Sequence, residues 1–315
     1  MKSTSSSSRP RTARPGPAGE AVAGVRITHP DRVLDRESGL TKVGLARYYG
    51  AVAGRMLPYV IRRPLALVRC PEGDQAECFF QKQRTPGMPP SIHGSKIAEH
   101  GILHVEDEGG LIALIQFGAV ELHGWGSRLP ESGVPDWIVM DLDPDEGLPF
   151  ARVVDAAWTM HDAFARIGLR SFVKTTGGKG LHVVVPIVPE APFDAIKEFT
   201  FGVAGEFARS DPARYTATLS KSARRGKIFI DYLRNGQGAT AIVPYAVRAR
   251  PGAPVAFPVA WRDLGKMDPR DFSVATVPKL LSKRRTDPWA DFFDLAQRVP
   301  PAYLQMAHAR RRKSA

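Results

Sequence analysis

Apolar positions along this chain alternate between a helical and a strand-like period, and the alternation predicts its elements. From Thr41 to about Met56, the residues Leu45, Tyr49, Val52 and Met56 recur at helical spacing, with Thr41 placed as a capping hydroxyl. Leu65 to Arg69 and Cys78 to Lys82 read as short strands around the turn-forming Pro71-Glu72-Gly73-Asp74. Ile102 to Val105 reads as a strand and Gly110 to Glu121 as a buried helix. The second half is more regular. Trp137 to Leu142 is an apolar strand; Phe150 to Ile167 has helical spacing at Val153, Ala157, Met160 and Phe164. Ser171 to Lys174 and Leu181 to Ile187 are strands around a glycine-rich turn, Pro192 to Arg209 is a helix, and Lys227 to Leu233 a further strand. A proline-rich connector, Arg248 to Pro258, precedes a helix expected around Trp289 to Gln297.

Long helices mixed with consecutive strands predict an α+β fold with a mixed or antiparallel central sheet rather than alternating βαβ units. The folded body is expected over 25–302, with a basic disordered arm at 1–24 and a basic tail at 303–315. With 315 residues, 43% hydrophobic and 24% charged, the chain can bury a core, and collagenous, disulfide-rich and wholly disordered classes are excluded. The net charge is +12, but eight of the cations lie in residues 1–19 and the last six positions, leaving about +4 for the body. Polyanion binding through the tails is therefore only hinted at. Cys70 and Cys78 form neither a disulfide framework nor a CxxC metal pair, which suits a reducing cytosol. The longest mostly apolar stretch, Leu111 to Val120, is too short to span a bilayer. The acid-free, Ser/Arg-rich N-terminus fits either a flexible basic arm or a transit peptide.

Chemistry concentrates at a few points. Asp141 and Asp143 end the strand Trp137 to Leu142, and the two-residue period points both carboxylates to one face. Something cationic must lie between them, which a Lys or Arg could supply and a hard divalent cation satisfies best, or else two solvated acids precede a turn. Asp231 sits inside the apolar Ile228-Phe229-Ile230-Asp231-Tyr232-Leu233, where an unpaired carboxylate is costly; a bridge to Arg234 or Lys227 and a third metal ligand are both open. Three carboxylates are what a two-metal phosphoryl-transfer centre needs. Between them lies Thr176-Gly177-Gly178-Lys179-Gly180-Leu181-His182, a turn whose amides, hydroxyl, ammonium and imidazole can meet an anion, although it is not a P-loop and reads equally as a hairpin with a surface lysine. Phe79, Phe80 and Lys82 combine aromatic and basic character suited to base stacking, or to core packing. Arg224, Arg225, Lys227, Arg234, Arg248 and Arg250 surround Asp231 in sequence, as a solvated rim or as a groove for triphosphate or DNA.

Taken in order, Thr28-His29-Pro30-Asp31-Arg32-Val33-Leu34, Thr41-Lys42, Cys78-Phe79-Phe80-Gln81-Lys82, Glu121-Leu122-His123-Gly124-Trp125, Asp141-Leu142-Asp143-Pro144, the glycine turn, Lys227 to Asn235 and Val247 to Val255 resemble the polymerase domain of bacterial ligase D, in the archaeo-eukaryotic primase superfamily. The resemblance covers Thr28 to about Leu264. It implies a primase-polymerase fold with an N-terminal α/β subdomain, and Asp141, Asp143 and Asp231 as ligands of two Mn²⁺ or Mg²⁺ ions. It further implies Thr176, Lys179, His182, His123, Arg248 and Arg250 around an incoming NTP or dNTP. Arg32 and Lys42 would bind the 5′-phosphate of a gap or end, Phe79 and Phe80 would stack on template, and Lys82, Arg224 and Arg234 would border the DNA. Thr176 stands where the family usually has Ser. The implied activity is template-directed nucleotidyl transfer in non-homologous end joining, with a liking for ribonucleotides and with Ku and a separate ligase as partners, in the bacterial cytoplasm at the nucleoid. The family's larger members add ligase and phosphoesterase domains, but no K-x-D-G ligase nucleophile occurs here. Two alternatives stand beside this: a non-catalytic module that binds 5′-phosphate ends, and a primase that starts strands de novo.

Overall fold

The computed structural model describes residues 20–75, 77–97 and 100–305. Most of the expected arm and tail, residues 1–19 and 306–315, lies outside them. Strand pairing begins at Ala21, ahead of the expected start at Val25: β1 (Ala21–Val22) pairs with β2 (Val25–Arg26) in a small hairpin. A second hairpin, β3 (Val33–Asp35) and β4 (Leu40–Thr41), leads into α1 (Lys42–Met56). Thr41 caps that helix as its sequence predicts, its hydroxyl accepting from the Gly44 amide at 3.2 Å.

The N-terminal sheet comprises β5 (Leu65–Arg69), β6 (Phe79–Gln81), β7 (His93–Ile97), β8 (His100–His104) and, after α2 (Glu108–Gln116), β9 (Ala119–Trp125). Here the sequence reading needs correction. The apolar run from Gly110 to Glu121 is not one helix. Asp107 caps α2 through the Gly110 amide, Phe117 closes it, and Gly118 at φ 93° turns the chain into β9. All seven residues of β9 are buried, and the strand signal of its alternating Glu121 and His123 is masked by the apolar run that precedes them. A second correction concerns Cys70 and Cys78, which form a disulfide. Arg69 pairs with Phe79 in the β5–β6 hairpin, so the two cysteines face each other one step along the ladder, with their Cα atoms 4.5 Å apart.

The second sheet carries β10 (Trp137–Pro144), β11 (Phe172–Thr175), β12 (Leu181–Pro186), β13 (Tyr215–Thr216), β14 (Ile228–Asp231) and β16 (Pro258–Val259), while β15 (Thr240–Ile242) returns to the first sheet beside β9. Its strand order is β13-β14-β10-β12-β11-β16, antiparallel except for the β13–β14 pair. Helices α3 (Phe150–Arg166) and α4 (Phe193–Ser210) pack on it through apolar faces that include Val153, Met160, Phe164, Ile196 and Phe199. The chain is thus α+β with two six-stranded sheets, the first built from the N-terminal half and β15, the second from the C-terminal half. The strand expected to Leu233 ends at Asp231, because Leu233–Asn235 turn into a 3₁₀ helix. No helix forms at Trp289 to Gln297. That stretch is turn and irregular chain held by Trp289 and Phe292, whose stacked rings pack on Phe172; it lies between α5 (Val277–Lys283) and helical residues 301–305. No helix among the described residues is long and apolar enough to cross a membrane.

Candidate active site

The site grows from one cross-strand row. In an antiparallel ladder, directly opposed residues share a face. Asp141 on β10 opposes Asp231 on β14 and His182 on β12, and His182 opposes Lys174 on β11. Four ionisable side chains therefore stand in line across four strands, and Asp143 projects to the same face two residues beyond Asp141. Apolar neighbours in each strand, among them Met140, Leu142, Val183 and Ile230, are buried and fix the register.

Arg234 follows β14 and bridges the two acids, 3.1 Å from Asp231 and 3.4 Å from Asp141. Arg224 lies 3.6 Å from Asp143 and stacks on Phe229. Burial, and secondarily Asp141, raises the Asp143 carboxyl above the usual range; burial, with Asp141 adding, raises Asp231 against the pull of Arg234. Burial also opposes ionisation of Asp141, yet His182, Arg234 and Lys174 outweigh it and hold that carboxyl at about 2. Nε2 of His182 is 3.5 Å from Asp141, but burial, then Lys174, lowers the ring to about 4. Lys174 is buried with its ammonium 3.4 Å from the Thr175 carbonyl, and burial lowers it to about 7. With the arginines holding the carboxylates, no three His, Cys, Asp or Glu side chains among the described residues close into a chelating group.

A cleft of about 310 Å³ opens over this row. Asp141, Asp143, His182 and Arg234 form its acidic end, while Thr176, Lys179, Arg248 and Arg250 form a cationic end. The loop between β11 and β12 brings the ends together. Gly180 is required there, since a Cβ would lie 2.5 Å from the Leu142 carbonyl oxygen of β10. Thr176 donates to the Gly180 carbonyl at 3.2 Å, and its own carbonyl accepts from Arg248 at 3.1 Å. Lys179 is exposed, 3.4 Å from Glu146.

His123 on β9 lines the same cleft, with its Nε2 2.7 Å from a Glu121 carboxylate oxygen. Glu121 also accepts from the Ala249 amide at 2.8 Å and pairs with Arg248 at 3.0 Å. Sequence reasoning gave neither Glu121 nor Lys174 a role. A charged residue inside an apolar strand, the signal used for Asp231, marks both.

Of the residues expected to border DNA, Arg224 and Arg234 lie at the cleft carboxylates, and the other five lie outside the cleft lining. Phe79 and Phe80 are 46% and 59% exposed on β6, with the Phe80 ring 5.4 Å from His123, and Lys82 is exposed just beyond. Arg32 and Lys42 meet in a separate pocket with Leu34, Cys70, Pro71 and Gln116. The structure thus gathers His123, Asp141, Asp143, Thr176, Lys179, His182, Arg234, Arg248 and Arg250 into one cleft, with Asp231 joined through Asp141 and Arg234.

Two sheets carrying an acidic strand row that faces a cationic glycine loop define a primase-polymerase domain. A family model for the LigD primase-polymerase domain matches residues 41–289, and the chain belongs to that family. It is 36% identical over 298 residues to the multifunctional non-homologous end joining protein LigD of Pseudomonas aeruginosa, covering 93% of this chain and 36% of that protein. The Bacillus subtilis bifunctional non-homologous end joining protein LigD is 28% identical over 88% of this chain and 45% of its own. The chain spans between a third and a half of the length of these relatives. The fold also matches the polymerase domain from Mycobacterium tuberculosis ligase D in complex with DNA, with TM-score 0.79 and 31% identity over 87% of this chain and 99% of that one.

Proposed function

We propose that the protein is a template-directed nucleotidyltransferase that fills gaps and extends ends in non-homologous end joining. The observation that carries this reading is the single cleft in which Asp141 and Asp143 face Thr176, Lys179, Arg248 and Arg250. A nucleoside triphosphate laid across it meets carboxylates at its reacting end and cations along its phosphates. The Asp141, Asp143 and Asp231 donors are all carboxylate oxygen, and two of them are pushed above their usual range, so the set fits hard divalent cations such as Mn²⁺ or Mg²⁺. Such ions, when bound, would activate the primer hydroxyl and steady the departing pyrophosphate. The chain's own residues do the rest. Arg248, Arg250 and Lys179 neutralise the triphosphate, and Gly180 sets its distance from β10. His182 orients Asp141, and Arg234, which holds the carboxylates here, would be free to meet the phosphates or DNA were cations to take its place.

The fold match to a domain in complex with DNA supports DNA as a partner, and NTP or dNTP, Ku and a separate ligase complete the reading. The test is extension of a 5′-phosphorylated gapped duplex with Mn²⁺ and labelled nucleotides. Incorporation that requires template and stops in Asp141→Ala supports the reading. Template-independent addition, or near wild-type extension by Asp141→Ala, overturns it. Extension of an unprimed template identifies the primase alternative.

A further inference from the structure

We propose that Glu121 is a positioning residue of the nucleotide cleft, gripping His123, Arg248 and the Ala249 amide together so that the histidine keeps one tautomer and the arginine one orientation. This rests on the nucleotidyltransferase reading only for what the cleft binds; the arrangement itself is a matter of hydrogen-bond donors and acceptors.

Glu121 is 5% exposed and projects from β9 on the same face as His123, two residues on. Its two carboxylate oxygens hold three nitrogens, two by hydrogen bonds and the Arg248 Nε by an ion pair. Oε2 takes His123 Nε2–H at 2.7 Å and faces Arg248 Nε at 3.0 Å, while Oε1 takes the Ala249 amide at 2.8 Å. Burial would raise this carboxyl, but its donors prevail and hold it at about 2. It is therefore an anion that can only accept. Burial, opposed by Glu121, lowers His123 below the usual imidazole value. A neutral ring beside an obligate acceptor must carry its proton on Nε2, which leaves Nδ1 as the acceptor.

Arg248 is the second half of the device. Its terminal nitrogen reaches the Thr176 carbonyl at 3.1 Å while its Nε faces Glu121. The guanidinium thus spans from β9 of the first sheet to the glycine loop of the second. Ala249, held by the same carboxylate, lies between Arg248 and Arg250, so both cleft arginines are registered against β9. Glu121 couples the two sheets at the place where a triphosphate would lie. A glutamine cannot replace it. It has one acceptor oxygen for three donors, and its NH₂ would face one of them.

The first test needs no variant and no activity. In the ¹⁵N-histidine NMR spectrum of the full chain at pH 7.5, assigned by loss of its signals in His123→Gln, the His123 ring should show the Nε2–H tautomer. An Nδ1–H tautomer or an imidazolium overturns the proposal. The second test uses Glu121→Gln and Glu121→Asp with ATP as the incoming nucleotide and inorganic tripolyphosphate as competitor. Glu121→Gln should raise KM for ATP and weaken tripolyphosphate inhibition by roughly tenfold or more, the scale of one charge-assisted phosphate contact, with kcat within a few-fold. Glu121→Asp should recover part of the loss. Unchanged KM in Glu121→Gln, or a fall in kcat alone, overturns the positioning role. If the wild type extends nothing, the polymerase reading fails while the tautomer measurement still decides this one.

Discussion

The Arg32–Lys42 pocket gives a test of DNA-end recognition separate from the chemistry. The Lys42 amide donates to the Arg32 carbonyl at 2.8 Å, which ties the hairpin to the start of α1 and brings both cations to one pocket. Arg32 is oriented by donation to the Pro71 carbonyl. The acid three residues on, Asp35, is engaged elsewhere: its carboxylate accepts from the Ser38 amide at 2.9 Å and the Gly252 amide at 3.1 Å. Lys42 is 6% exposed, and burial, with Arg32 adding, lowers it to about 8. Two cations converge here with no acid paired to either among the described residues. A phosphate gaining one charge-assisted contact from each would gain about 1.5–3 kcal/mol per contact before desolvation. Half of the combined figure still corresponds to tenfold or more. The double variant Arg32→Ala/Lys42→Ala should therefore lose at least about tenfold of the preference for 5′-phosphorylated over 5′-hydroxyl gaps. Extension of a plain primer–template should change much less. The pH dependence has a definite sign. Only the ammonium form of Lys42 binds phosphate, so the preference should be full below pH 8 and decline as pH rises through about 8. Equal discrimination by variant and wild type, or a preference that grows above pH 8, refutes the pocket.

Two further outcomes follow from burial and exposure. Phe80→Ala should leave stability within about 0.5 kcal/mol, since the ring is exposed. It should weaken binding of a gapped duplex by about 1–3 kcal/mol if the ring stacks on a template base, as read by fluorescence anisotropy. Arg63→Met should cost about 3–5 kcal/mol in urea unfolding. Arg63 is fully buried, paired with Asp136 at 2.7 Å, bonded to the Tyr59, Trp125 and Ser127 carbonyls and laid on Trp137, and its loss orphans three buried carbonyls and leaves Asp136 to Arg128 alone, at 3.2 Å; a change under 1 kcal/mol, about the value of a surface pair, would contradict this.

What the sequence made legible follows from what leaves a local mark. The paired acids were visible because a strand's two-residue period puts Asp141 and Asp143 on one face whatever the topology. Asp231 was visible because a carboxylate within Ile228 to Leu233 demands a partner. The alignment of Asp231, Asp141, His182 and Lys174 was not visible, since register between strands is set by tertiary packing. Glu121 escaped for a related reason. Its partners Arg248 and Ala249 lie on a loop more than a hundred residues away, and its strand was hidden in an apolar run that also suits a helix. The Cys70–Cys78 bridge escaped because eight residues of separation place two cysteines opposite each other only if the intervening chain is a hairpin of that register. Trp289 to Gln297 misled in the opposite way: its aromatic spacing reflects packing of Trp289 and Phe292 on Phe172, not a helical face.

The acidic end of the cleft supplies the last test. Asp141 and Asp231 are cross-strand partners with Arg234 bridging them, and burial raises Asp231. An acid whose folded value is raised lends stability only at low pH and loses it as pH rises through that value. At pH 7.5 the ionised Asp231 is therefore a liability. Asp231→Asn keeps the oxygen that accepts from the Leu233 amide at 2.9 Å and removes the charge. The variant should melt no lower than wild type without metal, although it gives up an ion pair with a partly exposed arginine. Mn²⁺ at a hundred times its dissociation constant would stabilise the wild type by about 2.7 kcal/mol. At about 2 cal/mol/K of unfolding entropy per residue, that is roughly 4 °C for a chain of this size. In Asp231→Asn the shift should shrink to a fraction of that, because a carboxylate donor has been lost. Ca²⁺, a hard cation of different size, should shift the wild type differently from Mn²⁺ if the site is shaped for the smaller ion. An equal Mn²⁺ shift in variant and wild type would remove Asp231 from the metal site, and would leave Arg234 as its functional partner.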